Sequence, residues 1–332
     1  MLSVIIPHRS DQFLQRTIDD LLEKAEGEIE VIVVMDGVWT ELKPDNRVRI
    51  IHQGTVHDHK GMRAGINAGV SISRGEYIMK VDEHVMMDKG FDVKLIADCD
   101  NNTLVVPRRY RLDAEKWEII NDGRPPIDYM VLDYPFQRPG DKTCGLHGAE
   151  DRYTYFEKQD VLIDDLMTMQ GSCWFMSRKL WDNVIKEMDD ENYGTFTQEA
   201  QELCNKVWFS GGRCIVNKKT WYAHWHKGSK GKGYGFSNEQ YKQHMAGTEK
   251  GRRFCIDYWT KHEKFPWFID KFKPAGWENW QERIEVDKAK DYSVIGEDCV
   301  SCKGSGVKMY DSGENVCNDC RGTGKNLERK IK

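Results

Sequence analysis

Short apolar runs alternate with amphipathic segments over the first 82 residues, and this alternation limits the possible folds more than any other feature. SVIIP (3–7) and EVIVVMD (30–36) have the apolar character of buried strands, and RTIDDLLEKA (16–25) between them has helical periodicity. A second crossover through GMRAGINAGVSIS (61–73) leads to a third strand, EYIMKVD (76–82). Strands that alternate with helices form a mainly parallel sheet with right-handed crossovers. We therefore predict an α/β protein whose ligands bind at the carboxyl ends of its strands.

Later segments continue this pattern. Strands are predicted at TLVVPRRY (103–110) and CIVNKKTWYAHWH (214–226), and a strand that runs into a helix is predicted at 168–185. QEAQELCNKVWFSGG (198–212) is predicted to be a helix that ends at a glycine pair.

The chain divides into three predicted parts. Residues 1–245 form the α/β domain, 246–298 an aromatic-rich helical extension with a linker, and 299–332 a small cysteine module. The segment KGSKGKGYG (227–235) is rich in glycine and lysine and is predicted to be a flexible loop.

Composition favours a soluble protein. The 332 residues are 39% apolar, enough for a large core, and the formal net charge of −5 gives no overall attraction to nucleic acid or anionic membranes. No run approaches the ~20 apolar residues of a transmembrane segment, and the first residues carry no leader pattern. Six of the ten cysteines are scattered singly, as expected for reduced thiols. We expect a cytoplasmic location.

The third strand ends on KVDEH (80–84), which is the first candidate site. Asp82 and His84 are two residues apart, so on an extended chain they point to the same side and could hold a metal ion together. Glu83 between them should point the other way. The alternative is a solvated strand end without a ligand.

The run GMRAGINAGVSISRGEYIMKVDEH resembles the family 2 glycosyltransferases and the related polypeptide N-acetylgalactosaminyltransferases, and the resemblance covers about residues 2–227. It implies the GT-A fold, a nucleotide-binding α/β domain whose DxD or DxH motif carries a divalent metal. It also implies a nucleotide-sugar donor, UDP-linked in the second group.

The resemblance implies that Asp82 and His84 bind the metal and that a histidine on a later strand is the third ligand. His224 matches that position, and His226 is the alternative. A divalent cation would neutralise the charge that grows on a diphosphate leaving group. Imidazole ligands favour Mn²⁺, with Mg²⁺ as the alternative.

The same resemblance implies a set of donor-binding residues. Pro7, His8 and Arg9 would line the base, Asp36 would hydrogen-bond the uracil or ribose, and Arg63 matches an arginine near the nucleotide.

In TMQGSCWFMSRK, Gly171 and Ser172 match two glycines that let the donor sugar approach the backbone, while Gln170 replaces a small residue. Lys227 begins the loop that follows the histidines, and this loop suits a lid over the diphosphate.

The predicted helix at 198–212 matches the family helix that begins on an acid pair. Glu199 takes its first acidic position and Glu202 a later one, and both are candidate catalytic residues. Inverting enzymes have an Asp as general base where this chain has Ala200. Either Glu199 is the base, or the enzyme is retaining and needs none.

The C-terminal residues repeat CxxCxGxG twice, as CVSCKGSG and CNDCRGTG. Cys299, Cys302, Cys317 and Cys320 could complete a tetrahedral Zn²⁺ site with no open position, which is a structural site. The repeat resembles half of the cysteine-rich module of J-domain co-chaperones. Seven Lys and Arg against four Asp and Glu in 299–332 make a nucleic-acid or protein partner plausible.

The sequence therefore predicts a metal-dependent glycosyltransferase that moves a sugar from a nucleotide-sugar to an acceptor hydroxyl. Seven Lys and Arg against two Glu between 226 and 253 suggest an anionic polymer, such as DNA with hydroxymethylated bases in bacteriophage modification. A cell-surface glycan or lipid-linked sugar is the alternative acceptor. A non-catalytic protein that binds nucleotide-sugar or nucleic acid is an alternative of another class, and the oligomeric state stays open.

Overall fold

The computed structural model describes residues 1–9, 12–136, 145–226 and 238–292, together with the backbone of two strands between 307 and 316. The strands are β1 (Leu2–His8), β2 (Ile29–Asp36), β3 (Val48–Gln53), β4 (Tyr77–Val81), β5 (Val85–Met87), β6 (Thr103–Asp113), β7 (Glu118–Ile119), β8 (Met130–Leu132), β9 (Gly148–Glu150), β10 (Ile163–Asp165), β11 (Cys173–Ser177), β12 (Arg213–His224), β13 (Val307–Tyr310) and β14 (Gly313–Val316). The helices are α1 (Leu14–Lys24), α2 (Met62–Ile72), α3 (Phe91–Ala97), α4 (Arg152–Glu157), α5 (Arg178–Leu180), α6 (Asp190–Tyr193), α7 (Glu199–Phe209), α8 (Asn238–Trp259), α9 (Phe265–Phe272) and α10 (Trp280–Tyr292), with a π-helical turn at Trp181–Ile185.

One half of the main sheet is parallel, in the order β3-β2-β1-β4. Ile5 of β1 packs in one core cluster, while Val4 and Ile6 pack in a second cluster on the opposite face. Both faces of the strand are therefore covered, which explains its continuous apolar run. Gly69 allows helix α2 to lie close against β1. A Cβ at this position would come within 2.4 Å of Cγ2 of Ile5.

The other half of the sheet is mixed. β11 runs antiparallel to both β4 and β6, and β12 pairs parallel with β6 along the longest pairing in the sheet. The three longest strand pairings are thus parallel, as predicted. β11 departs from this pattern, because it runs antiparallel to both of its neighbours. A register shift between Asn217 and Trp221 disturbs β12, and beyond it His224 pairs with Val85 of β5. This pairing brings the end of β12 to the loop that follows β4.

The helices of the C-terminal extension share the core of the sheet domain. Phe209 of α7 lies 5.4 Å from Trp259 of α8 and 5.3 Å from Phe268 of α9, measured between ring centroids. These side chains belong to the same buried cluster as Ile5 of β1. Helix α8 spans residue 245, after which the predicted extension begins, and the extension packs against the α/β domain.

Two further observations concern the rest of the predicted organisation. β13 and β14 form an antiparallel pair within the predicted cysteine module, apart from the main sheet. Within the described part of the chain, no helix combines the length and the apolar character that crossing a bilayer requires.

Candidate functional site

A cleft of about 620 Å³ opens where β1, β2 and β4 end. Small-molecule sites in proteins span roughly 300–1,000 Å³, so the volume suits a nucleotide-sized ligand. The cleft wall contains most of the side chains that the sequence singles out, namely Pro7, His8, Arg9, Asp36, Asp82, His84, Gly171, Ser172, Glu199 and His224. The fold therefore gathers the predicted metal and nucleotide residues at one edge of the sheet.

Asp82, His84 and His224 meet in this cleft, with their ligand atoms all within 4.8 Å of one another. Nε2 of His224 is 3.1 Å from Oδ2 of Asp82 and 3.1 Å from Nε2 of His84. Two ligand atoms that each lie about 2.1 Å from an ion, at right angles, are about 3.0 Å apart. The two separations of 3.1 Å are therefore compatible with ligands that would share one divalent cation. We call these three residues the metal trio.

Backbone contacts between three strands hold the metal trio. The amide of Asp82, just after β4, donates to the carbonyl of Ser172, just before β11, at 3.0 Å. The amide of Trp225, just after β12, donates to the carbonyl of His84 at 3.2 Å. The sheet register thus fixes the positions from which the three side chains extend.

The protonation states of Asp82 and His224 suit metal binding. Burial raises the pKa of Asp82, but the charge of Lys80 and the hydrogen bond from His224 outweigh it and hold this pKa well below its usual range. Burial lowers the pKa of His224 to about 3, despite the opposing effect of Asp82. The carboxylate is therefore ionised and this imidazole neutral near pH 7, as metal ligands must be.

Arg109 contacts the metal trio from behind. Its Nη2 lies 3.2 Å from Nδ1 of His224. A guanidinium only donates, so Nδ1 accepts here and the imidazole proton is on Nε2. Metal binding through Nε2 would place the imidazole proton on Nδ1, the nitrogen that faces Arg109.

Glu83 points away from the metal trio, as strand alternation predicts, and fixes the end of β1. Its carboxylate is hydrogen-bonded to Nδ1 of His8 and accepts the amide of Arg9 at 3.1 Å. Nε2 of His8 is in turn 2.7 Å from Oγ1 of Thr40. His8 is thus buried and bonded at both ring nitrogens, and it shapes the cleft wall from a fixed position.

Asp36 joins the end of β2 to the start of α2. Its two carboxylate oxygens accept the amides of Lys60 at 2.8 Å and Gly61 at 2.7 Å. Gly61 has φ of 90° and lies against Thr195, a backbone shape and a contact that a side chain would disturb. Asp36 lines the cleft and also holds the loop through which the chain enters α2.

Glu199 begins α7 and lies on the cleft floor. Its Oε1 accepts Nε1–H of Trp174 at 2.7 Å, and its Oε2 is 3.4 Å from Nζ of Lys80. Burial raises the pKa of Glu199, although Lys80 and Trp174 oppose this shift. A Cβ at Gly171 would lie 2.4 Å from Oε2 of Glu199, so only glycine permits this approach.

Arg63 and Glu202 lie outside the cleft, so the geometry does not support the roles that the resemblance gave them. The two form an ion pair in which neither side chain is exposed. Arg63 also donates to the carbonyl of Thr197 at 2.6 Å and stacks over the ring of Tyr193. Glu202 also contacts Lys206 at 2.6 Å. Their position indicates that they tie α2 to α7 inside the core.

The remaining predicted residues divide into two groups. His226 lines the cleft outside the metal trio, which contains His224 instead. Lys227 and the four cysteines, Cys299, Cys302, Cys317 and Cys320, lie outside the described residues.

Several cleft residues were not found from the sequence, namely His59, His147, Phe196, Gln198, Gln201, His244 and Arg252. They lie in loops or on α7 and α8. Gln198 and Gln201 belong to the predicted helix at 198–212, which gave them no role, and no local motif marks the others. Gln198, directly before α7, has a positive φ of 58°. Non-glycine residues with positive φ concentrate at functional sites, so this backbone angle points to a functional position.

Comparison with known proteins identifies relatives of this chain. Residues 3–185, more than half of the chain, match the family described as glycosyl transferase family 2. Glycosyltransferase GlyG of Streptococcus pneumoniae serotype 4 is 23% identical over 232 residues, 66% of this chain and 63% of that protein. The uncharacterized glycosyltransferase EpsJ of Bacillus subtilis is 29% identical over 113 residues, 31% of this chain and 32% of that protein. The chain thus spans less than two thirds of either relative.

Among solved structures, the chain resembles GalNAc-T7, whose crystal structure is described as containing UDP, GalNAc and Mn²⁺. The similarity has a TM-score of 0.59 at 12% identity and covers 97% of this chain and 66% of that chain. At this identity it shows a shared fold, consistent with the GT-A architecture predicted from the sequence.

Proposed function

The chain belongs to glycosyl transferase family 2, and from this membership we propose that it moves a sugar from a UDP-linked donor to an acceptor hydroxyl with the help of a divalent metal. The metal trio of Asp82, His84 and His224 carries the proposal, because it combines the ligands of such an ion at the strand ends of a nucleotide-sized cleft. The fold shared with GalNAc-T7, described with UDP and Mn²⁺, supports the choice of donor and metal.

The metal trio would hold Mn²⁺, with Mg²⁺ as the second choice, because two imidazoles favour the softer ion. When bound, the ion would supply positive charge to the diphosphate leaving group. Asp82 would remain ionised beside it, held by Lys80 on the side away from His224.

The end of β1 and the end of β2 would hold the nucleotide. Pro7, His8 and Arg9 form one wall, and Glu83 fixes this wall through His8 and the amide of Arg9. Asp36 holds the opposite loop. We assign these residues to the base and ribose because they share the cleft with the metal trio.

Gly171, Ser172 and Glu199 would form the sugar side of the cleft. Both oxygens of Glu199 are engaged, one by Trp174 and one by Lys80. Such a carboxylate is held in place, which suits orientation of the sugar or the acceptor hydroxyl better than proton transfer. We therefore assign an orienting role to Glu199.

The proposed acceptor is an anionic polymer, DNA with hydroxymethylated bases, and it rests on the basic residues of 226–253 and 299–332. Competition tests it: the chain receives labelled donor together with hydroxymethylated DNA and a cell-surface glycan. Transfer to the glycan without transfer to the DNA would contradict the DNA acceptor and leave the donor chemistry intact.

A nucleotide-sugar panel with Mn²⁺, read by UDP release, tests the central proposal. We expect release from the wild type and a loss of at least about a hundredfold in Asp82→Ala, because a ligand and a charge are removed together. Asp45→Ala is the control, since the Asp45 carboxylate accepts from Arg47 on the surface and lies outside the cleft. Equal release from wild type and Asp82→Ala would remove the basis of the mechanism. Binding of the donor without release by either protein would indicate a non-catalytic binding protein.

A further inference from the structure

Lys80, the fourth residue of β4, occupies an unusual position beneath the cleft. Its side chain is 1% exposed. Its Nζ donates to Oδ1 of Asp82 at 2.6 Å and to the carbonyl of Gly171 at 2.6 Å, and it lies 3.4 Å from Oε2 of Glu199. Lysine is almost never fully buried without a partner, and here all three acceptors belong to the cleft wall.

The charges around Lys80 explain why it stays buried. The ammonium of Lys80 lies between the carboxyl groups of Asp82 and Glu199. Together with the carbonyl of Gly171, these groups place Lys80 at the junction of the metal trio and the sugar side.

The contacts of Asp82 show what this cation does. Oδ1 accepts Lys80, and Oδ2 lies 3.1 Å from Nε2 of His224. The ammonium thus engages one carboxylate oxygen and leaves the other directed at the two imidazoles. A ligating carboxylate needs such an outer partner to keep its orientation.

We propose that Lys80 is a positioning residue that directs Asp82 toward the divalent ion and links the metal trio to Glu199 and Gly171. The inference rests on the proposed function, because it assumes that the metal trio binds an ion. Lys80 begins the KVDEH stretch but has no part in the metal site predicted there.

Lys80 could have the opposite effect if it acted through charge alone. A positive charge beside the metal trio repels a cation, and its removal would then tighten metal binding. Positioning predicts weaker binding after removal. The direction of the change therefore separates the two effects.

The test measures Mn²⁺ binding to the nucleotide-free full-length chain by electron paramagnetic resonance, without any activity assay. We expect Lys80→Met to bind Mn²⁺ about 10–100-fold more weakly than the wild type, as is typical when an outer partner of a metal ligand is lost. Lys218→Met is the matched control: Lys218 is also buried, but it donates to the carbonyl of Lys158 outside the cleft. We expect this control to bind Mn²⁺ like the wild type.

Thermal unfolding shows whether each variant folds. If Lys80→Met does not unfold cooperatively, Lys80→Gln is measured instead, since it removes the charge and can still donate a hydrogen bond. Positioning then predicts a smaller but measurable weakening of Mn²⁺ binding, whereas charge repulsion alone predicts tighter binding. UDP release gives a second readout: the Mn²⁺ concentration for half-maximal release should rise, with recovery at saturating Mn²⁺.

Mn²⁺ affinity that is unchanged or tighter in a folded Lys80 variant would overturn the role of Lys80 and leave the proposed function standing. A wild-type chain that binds no Mn²⁺ would overturn the proposed metal dependence, and this inference with it.

Discussion

Arg63 and Glu202 show how burial changes the meaning of a charged residue. In the sequence both lie in predicted helical segments, and the family resemblance implies roles at the site for both. The two residues are 139 positions apart in the sequence. In the fold they contact each other, and both side chains are fully buried. Asp82 and His84 could be predicted as a pair because a two-residue spacing on a strand fixes a common direction. The contact between α2 and α7 depends on long-range packing, which no local pattern encodes.

The buried ion pair leads to the first prediction. We expect Glu202→Gln to lower the free energy of unfolding by about 3 kcal/mol, because it leaves the guanidinium of Arg63 buried without its countercharge. Urea unfolding measures the change. Lys206→Ala removes the partly exposed partner of Glu202 and should cost less than about 1 kcal/mol. An unchanged unfolding free energy in Glu202→Gln, together with lost UDP release, would instead identify Glu202 as a catalytic residue.

The sequence did not predict a role for Lys80, because this role also depends on contacts with distant parts of the chain. A lysine in a strand is ordinarily solvated, and its alternation with Asp82 is the same two-residue spacing that relates Asp82 to His84. The spacing therefore places Lys80 on the side of the metal trio, but it does not show that Glu199 and Gly171 close over it. That closure comes from β11 and α7, about 90 to 120 positions away along the chain.

At the scale of elements, the sequence predicts strands with two covered faces well and edge strands poorly. β1 and β2 are nearly continuous apolar runs, and their bounds agree with the prediction to within one residue. β3 lies at the edge of the sheet and alternates between half-buried and exposed residues, so its apolar signal is weak. β5 has only three residues, and its pairing with β12 holds them in an extended conformation. Short and exposed strands thus depend on partners that a local pattern does not contain.

Asp165 of β10 connects three elements and leads to the second prediction. Its carboxylate accepts from Arg213 of β12 and from Lys271 of α9, each at 2.6 Å. Burial raises the pKa of Asp165, but these two cations outweigh it and lower the pKa below its ordinary value of 3.8. A lowered pKa in the folded state means that the ionised carboxylate stabilises the fold above pH 3.8, and that this contribution is lost as the pH falls through the folded-state pKa.

We expect Asp165→Asn to lower the unfolding free energy by about 1 kcal/mol at neutral pH, since two partly exposed ion pairs are lost. The difference from the wild type should shrink as the pH falls below 3.8, and urea unfolding along a pH series measures it. Asp122→Asn is the comparison, because Asp122 pairs with Arg124 at the surface, where solvent screening makes an ion pair worth less. A difference that stays constant across the acid range would show that Asp165 acts through packing and not through its charge.

For the whole molecule, the helical extension predicted after 245 packs against the α/β domain. The predicted extension after 245 contributes Trp259, Phe268 and Trp280 to the cluster that also contains Ile5 of β1. The aromatic residues of the extension are visible in the sequence, but their partner Phe209 lies on the distant helix α7. The described helices of the extension therefore share a core cluster with the main sheet.

The chain is predicted to use two metals in two different ways, which gives the third prediction. A closed site of four thiolates binds zinc with an apparent free energy of about 10 kcal/mol or more, whereas the metal trio leaves positions open for the donor and for exchange. After gel filtration in metal-free buffer, the full-length chain should retain about one zinc per molecule, measured by mass spectrometry. It should release UDP only after Mn²⁺ is added.

Replacing Cys299 and Cys302 by serine should remove the zinc and preserve Mn²⁺-dependent UDP release, because every residue of the metal trio precedes 227. Circular dichroism is the control for the fold of the remaining chain. Loss of Mn²⁺-dependent release from a folded variant would place the cysteine module at the active site, since a purely structural zinc affects only the segment that it folds. Retained release with lost transfer to a polymeric acceptor would assign the cysteine module to acceptor binding.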